Sequence, residues 1–234
     1  MDLKRTAKEA ARHFLHRTGL RRPPAHAAGG DRRERFEAIY KDGIWSYGRD
    51  DVPLSGEGSS LEATEDLRAA FPDLLRTLGA RSLLDVGCGD FTWMSQIDLP
   101  CDYIGVDIVP HLMEENQKTY GSPSRRFLVT DAVRDTLPKA DVVLCREVLF
   151  HLSLRDAIAA LRNMLATGCT HIVLTSDSET LFNADIQSGD FRILNLRRSP
   201  FRLGKPIQKI DDAAVGKTRF IGVWEAAKVT AQLS

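Results

Sequence analysis

Leu83-Leu84-Asp85-Val86-Gly87-Cys88-Gly89-Asp90 is an apolar run that closes on an acid and two closely spaced glycines. Leu83, Leu84 and Val86 suit a strand buried on both faces, and the glycines let the backbone turn sharply where a Cβ would obstruct it. The expected structure is a strand running into a turn beneath a ligand. A dinucleotide fingerprint would need a third glycine soon after Gly89, where this chain continues Asp90-Phe91-Thr92. The turn is therefore a poor cradle for a pyrophosphate, and the nearby acids Asp85 and Asp90 would repel phosphate while suiting a cation.

Two more apolar runs end in acids. Tyr103-Ile104-Gly105-Val106-Asp107 places Asp107 about 20 residues beyond the glycines, where a carboxylate accepts both hydroxyls of a ribose. Phe127-Leu128-Val129 leads into Thr130-Asp131-Ala132. At these positions the chain resembles the class I S-adenosylmethionine-dependent methyltransferases, whose first motif is an apolar strand followed by Asp/Glu-Xaa-Gly-Xaa-Gly. Asp85, Gly87 and Gly89 match it and Phe91 departs from it. The resemblance implies a Rossmann-like α/β fold with a seven-stranded sheet flanked by helices, and S-adenosylmethionine as cofactor. The residues it assigns to the cofactor are Asp85, Gly87, Cys88, Gly89, Asp107, Ile108, Asp131, Ala132 and Arg146, with Asp131 beside the adenine. It also implies an antiparallel seventh strand, carried by Arg219–Trp224, inserted next to the fifth. A closer likeness, over about residues 45 to 224, is to an uncharacterised bacterial group that pairs a Cys-Gly-Asp-Phe turn with Cys-Arg-Xaa-Val-Leu-Phe-His-Leu.

The other elements follow from pattern. Asp141–Cys145 and His171–Thr175 are two further strands, Pro110–Tyr120 is a helix with proline in its first turn, and Ser153 with Asp156 opens a helix that runs to about Ala166. Phe91–Met94 is expected to open a helix, and Pro72 to restart one that begins after Ser60. Alternating strands and helices give a parallel sheet with ligands at the carboxyl ends of its strands, so Gly87, Asp107, Asp131, Arg146 and Ser176 should edge the pocket.

Residues 1–35 hold ten basic residues against four acidic ones, including Asp2 and Arg21. With Ala7, Ala10, Ala11, Phe14 and Leu15 at helical spacing, residues 1–30 read as a basic amphipathic helical extension set off by Pro23-Pro24 and Gly29-Gly30. Residues 31–80 read as a helical cap or lid and 81–234 as the cofactor-binding core, the last two forming one domain. Over the whole chain the charges balance at 32 basic and 32 acidic residues, which gives no overall field for nucleic acid. Four scattered cysteines argue for reduced thiols in a cytoplasm and against a zinc site. No apolar run reaches the roughly 18 residues of a membrane span, and Asp2 and Glu9 disfavour a mitochondrial presequence.

For chemistry, His151, Arg146 and Glu147 follow the fourth strand. His151, with an ordinary pKa near 6.5, is the expected general base. Arg146 is expected to clasp a carboxylate, with a structural pair between Arg146 and Glu147 as the alternative. Asp177 and His151 give no metal-ligand spacing, so no metal is expected. Asn183, Asp185, Asp190, Arg192 and Asn195 are expected either to hydrogen-bond a hydroxylated acceptor or to serve turn chemistry. The expected reaction is O-methylation of a sugar or secondary metabolite. RNA or protein methylation docked through the basic helix, and a non-catalytic cofactor-binding module, are the alternatives.

Overall fold

A computed structural model describes residues 3–18, 20, 22–212 and 214–233; Asp2 and Arg21 of the basic extension lie outside them. Seven strands form one mixed sheet: β1 (Ser82–Val86), β2 (Asp102–Asp107), β3 (Arg125–Val129), β4 (Val142–Cys145), β5 (His171–Asp177), β6 (Gln208–Asp211) and β7 (Arg219–Glu225), in the order β3-β2-β1-β4-β5-β7-β6. The first five are parallel and β7 runs antiparallel to β5, pairing Leu174 with Gly222. β1 and β4 sit centrally, and Leu83, Leu84, Val142, Val143 and Leu144 are fully buried, as strands covered on both faces require. Reversal of strand order between β1 and β4 opens a crevice at their carboxyl ends. β6 escaped the sequence reading because Gln208, Lys209 and Asp211 are polar and exposed; only Ile210 turns inward from this edge strand.

Helices α1 (Leu3–Arg17), α2 (Ala25–Ala28), α3 (Arg32–Lys41) and α4 (Glu65–Thr77) precede the sheet, while α5 (Pro110–Tyr120), α6 (Leu154–Ala166) and α7 (Ala226–Leu233) follow within it. A capping box starts α3: Asp31 accepts from the Glu34 N–H, and Glu34 accepts from the Asp31 N–H. One cluster of buried apolar side chains runs from Phe36 and Ile39, through Phe71 and the sheet, to Val229.

Two helix expectations fail. α4 passes through Pro72 without restarting, because Leu67, Phe71, Leu74 and Leu75 bury one continuous stripe that outweighs the lost hydrogen bond. After β1 there is no α-helix, only a 3₁₀ turn at Met94–Gln96. Phe91 stands at φ 60° with its ring fully buried among Tyr103, Tyr120 and Phe127, which holds the chain in an irregular path. α1 is also more than an appendage: Arg12 donates to Asp190 and to the Phe191 carbonyl, and the Asp185 N–H donates to His13 Nδ1.

Candidate active site

The crevice at the carboxyl ends of β1, β2 and β4 is a cleft walled by residues from all three strand ends and from the cap. Its floor is the turn after β1. Gly87 has φ 75°, and a Cβ there would lie 2.2 Å from Val148 Cγ2. Glycine is thus required twice over, by the left-handed backbone and by the packing. The N–H groups of Gly87 and Cys88 both donate to the Val106 carbonyl, folding the turn back over β2.

Asp85 and Asp107 face this cleft from the ends of adjacent strands. Asp85 accepts from the Tyr103 hydroxyl at 2.8 Å, and burial pushes its pKa up to about 7. Asp107 accepts N–H groups from Gly89 at 3.2 Å and Val109 at 3.1 Å; burial still raises its pKa to about 6. Among the described residues neither forms an ion pair, whereas Asp131, Arg146 and Glu147 on the same walls are paired. Arg32 from α3 grips Asp131 through two nitrogens and reaches Asp156 at 3.0 Å. Arg146 meets Asp212 at 2.9 Å and donates to the Gly58 carbonyl, its guanidinium lying over the Trp93 ring. Arg219 binds Glu147 Oε2.

Of the residues expected at the cofactor, Asp85, Gly87, Cys88, Asp107, Ile108, Asp131, Ala132 and Arg146 line the cleft. Gly89 does not. Ser55 lies over it, so that a Cβ at Gly89 would fall 2.2 Å from Ser55 Oγ. Ser55 in turn exchanges two hydrogen bonds with Asp90, latching the cap onto the turn. Ser176 is also off the edge; it is fully buried and accepts from the Leu196 N–H. Arg146 clasps a carboxylate of its own chain, Asp212, rather than a free one, and it does not pair with Glu147. Asp131 keeps its place at the wall but is shared with Arg32.

His151 reaches the cleft as expected, with a different character. Its Nδ1 lies 3.2 Å from the Asp190 carbonyl, which can only accept, so Nδ1 carries the proton and Nε2 is left as an acceptor. The ring packs between Trp45 (4.7 Å) and Phe191 (5.3 Å). Desolvation lowers its pKa to about 4, which overturns the expected value near 6.5. The polar residues beyond β5 are occupied too. The Asn183 side chain donates to the Asn195 carbonyl and accepts from the Asn195 N–H, buried Arg192 donates to the Ala184 and Leu149 carbonyls, and Asp185 caps α6 through the Leu154 N–H. They brace the 178–207 segment, with Arg192 Nη2 buried and without a hydrogen-bond partner among the described residues. Asp190 alone of the five lines a cleft, and it is engaged by Arg12.

The sequence reading missed the cap's contribution to the walls: Arg32, Phe36, Tyr40 and Trp45, with Trp93 from the β1–β2 connection. The aromatic and glycine-rich stretch from Trp45 was the available signal; Arg32 gave none, since nothing local marks a pairing across 99 residues. A second cleft adjoins the first and shares Trp45, Ser55, Glu147 and His151 with it. Among the described residues no three His, Cys, Asp or Glu side chains converge on a metal position.

Residues 84–170 match the family described as a methyltransferase domain. That span contains the glycine turn, Asp107, Asp131 and the segment after β4. Over this span the chain carries a methyltransferase domain. Uncharacterised methyltransferases of Mycobacterium tuberculosis and Mycobacterium bovis are each 30% identical over 118 residues, covering 49% of this chain. The match spans 60% of the length of these relatives. Among solved structures, the methyltransferase fold recurs in the 1,6-didemethyltoxoflavin N1-methyltransferase of Burkholderia thailandensis (TM-score 0.56, 17% identity, 82% of this chain and 86% of that one). It recurs also in the N-methyltransferase NodS of Bradyrhizobium japonicum (TM-score 0.53, 15% identity, 80% and 97%).

Proposed function

We propose that this methyltransferase moves a methyl group from S-adenosylmethionine to a hydroxyl of a small acceptor. The cofactor would occupy the first cleft and the acceptor would enter through the second. The observation that carries this reading is the pair of buried carboxyls, Asp85 and Asp107, that form no ion pair among the described residues and are set around a glycine turn. Such a site rewards a ligand that brings positive charge and hydroxyl donors, and penalises a polyphosphate. Asp107 would accept from the ribose hydroxyls. Asp85, Gly87 and Cys88 would surround the amino-acid part, with Ile108, Ala132 and the Arg32-bound Asp131 at the adenine. The cofactor supplies an electrophilic methyl on a sulfonium. The chain's own work is alignment, which can lower the barrier by about 7 to 11 kcal/mol, together with exclusion of water by Trp45, Tyr40 and Phe36.

A nucleic-acid dock on the basic helix is less well supported, because Arg12 is spent on Asp190 and Phe191. Among the described residues no helix is long and apolar enough to cross a membrane. Isothermal titration of the full chain with S-adenosylmethionine, S-adenosylhomocysteine and NAD tests the cofactor assignment. Binding of the first two and not the third is expected; binding of NAD alone would overturn it. Binding without methyl transfer to any acceptor would leave a non-catalytic module.

A further inference from the structure

The wall between the two clefts carries a carboxylate oxygen that has no hydrogen-bond partner among the described residues. Glu147 stands at φ 63°, a left-handed conformation that a side chain adopts only against strain, and its N–H is pinned to Thr175 Oγ1 at 2.9 Å. Arg219 holds Oε2, while Oε1 is buried and has no hydrogen-bond partner among the described residues. A buried carboxylate oxygen left open in this way costs free energy unless a donor reaches it. Glu147 lines both clefts, so a donor can reach it from either. The second cleft brings Ile44, Trp45, Tyr47, Phe191 and Val215 together with the polar side chains of His26, Glu57, Asp190 and Arg219.

We propose that Glu147 is the catalytic base, and that the acceptor is a flat aromatic hydroxyl compound which lies against Trp45 and Phe191 and presents its O–H to Oε1. This rests on the methyltransferase reading above. In the step, the acceptor oxygen forms a bond to the methyl carbon as the carbon–sulfur bond breaks, the electron pair returning to sulfur. The acceptor's proton passes to Glu147 Oε1. The products are an aryl methyl ether and S-adenosylhomocysteine. Burial raises the Glu147 pKa against the opposing pull of Arg219 and Arg146, which makes its carboxylate a stronger base. His151 carries the opposite shift and serves as a wall and a neutral hydrogen-bond acceptor.

The test uses the full chain, labelled S-adenosylmethionine, and two classes of probe: phenol, catechol and 4-nitrophenol against glucose and inositol. The parent should methylate the aromatic hydroxyls and leave the polyols untouched. E147Q should lose roughly 10²- to 10⁴-fold in kcat on phenol while cofactor affinity and thermal midpoint hold. On 4-nitrophenol at pH 8, which arrives already ionised, most of that loss should vanish, because no base is then required. Equal losses on both phenols would make Glu147 structural and overturn the assignment. Methylation of the polyols alone, or of no probe while the cofactor is bound, would overturn the aromatic acceptor. Should E147Q not fold, E147D and the parent's probe selectivity decide the same question. Absence of cofactor binding would instead sink the methyltransferase reading.

Discussion

Asp107→Asn separates what this carboxyl does for the fold from what it does for a ligand. Its pKa is pushed up to about 6 by burial, against 3.8 when unperturbed, so the ionised group costs the free protein about 3 kcal/mol at pH 8. Because the folded value is the higher one, the cost is absent below the unfolded pKa, grows as pH rises, and levels off above about 6. Asparagine has the same shape and never ionises. Turning its NH₂ toward the N–H of Gly89 or Val109 costs about 1 to 2 kcal/mol. Ligand-free D107N should therefore match the parent at pH 8 or exceed it by up to about 2 kcal/mol. Its advantage should be about 1.4 kcal/mol larger at pH 8 than at pH 5. S-adenosylmethionine affinity should fall in the other direction, by about 1 to 3 kcal/mol, or roughly 5- to 150-fold. Urea denaturation at the two pH values and calorimetric titration at pH 8 measure both quantities. A variant that loses stability more at pH 8 than at pH 5, or that binds the cofactor as tightly as the parent, would refute the reasoning.

Gly87→Ala should destabilise the protein by about 2 to 5 kcal/mol in urea melts, combining left-handed strain with overpacking against Val148. The His151 pKa is lowered from 6.5 to about 4, so the stability this contributes is present above 6.5 and is lost as pH falls toward 4, by about 3 kcal/mol. His151→Phe should flatten that part of the stability–pH curve, and the parent's pH–rate profile should show no limb near 6.5. Removal of residues 1–28 should leave cofactor affinity unchanged in calorimetry but raise KM for the acceptor, since Arg12 and His13 steady the 185–191 wall.

The sheet was legible because β1, β2, β4 and β5 are continuous apolar runs whose acids and glycines fall at the strand ends, where local chemistry and fold agree. The carboxyls at the cleft were legible for the same reason. Partnerships over long separations were not: Arg146 with Asp212, Arg32 with Asp131 and Glu147 with Arg219 depend on which surfaces the fold brings together. The Asn- and Asp-rich segment reads two ways in sequence because residues suited to binding hydroxyls are also suited to satisfying backbone groups in a stretch without regular structure. Burial of His151 between two rings likewise leaves no mark at its own position.

The short 3₁₀ turn after Phe91 has an electrostatic result. Where a glycine turn leads into a full α-helix, the summed peptide dipoles put about half a positive charge at the mouth of the pocket, a ready seat for phosphate. Here three residues, Met94–Gln96, take the place of that helix, and Ile97 is already extended. The segment that leaves the glycine turn therefore brings no macrodipole of its own, and the charge next to the turn is that of Asp85, Asp90 and Asp107. A sulfonium approaching the turn meets no positive end from that segment, and an anionic nucleotide finds none there to welcome it.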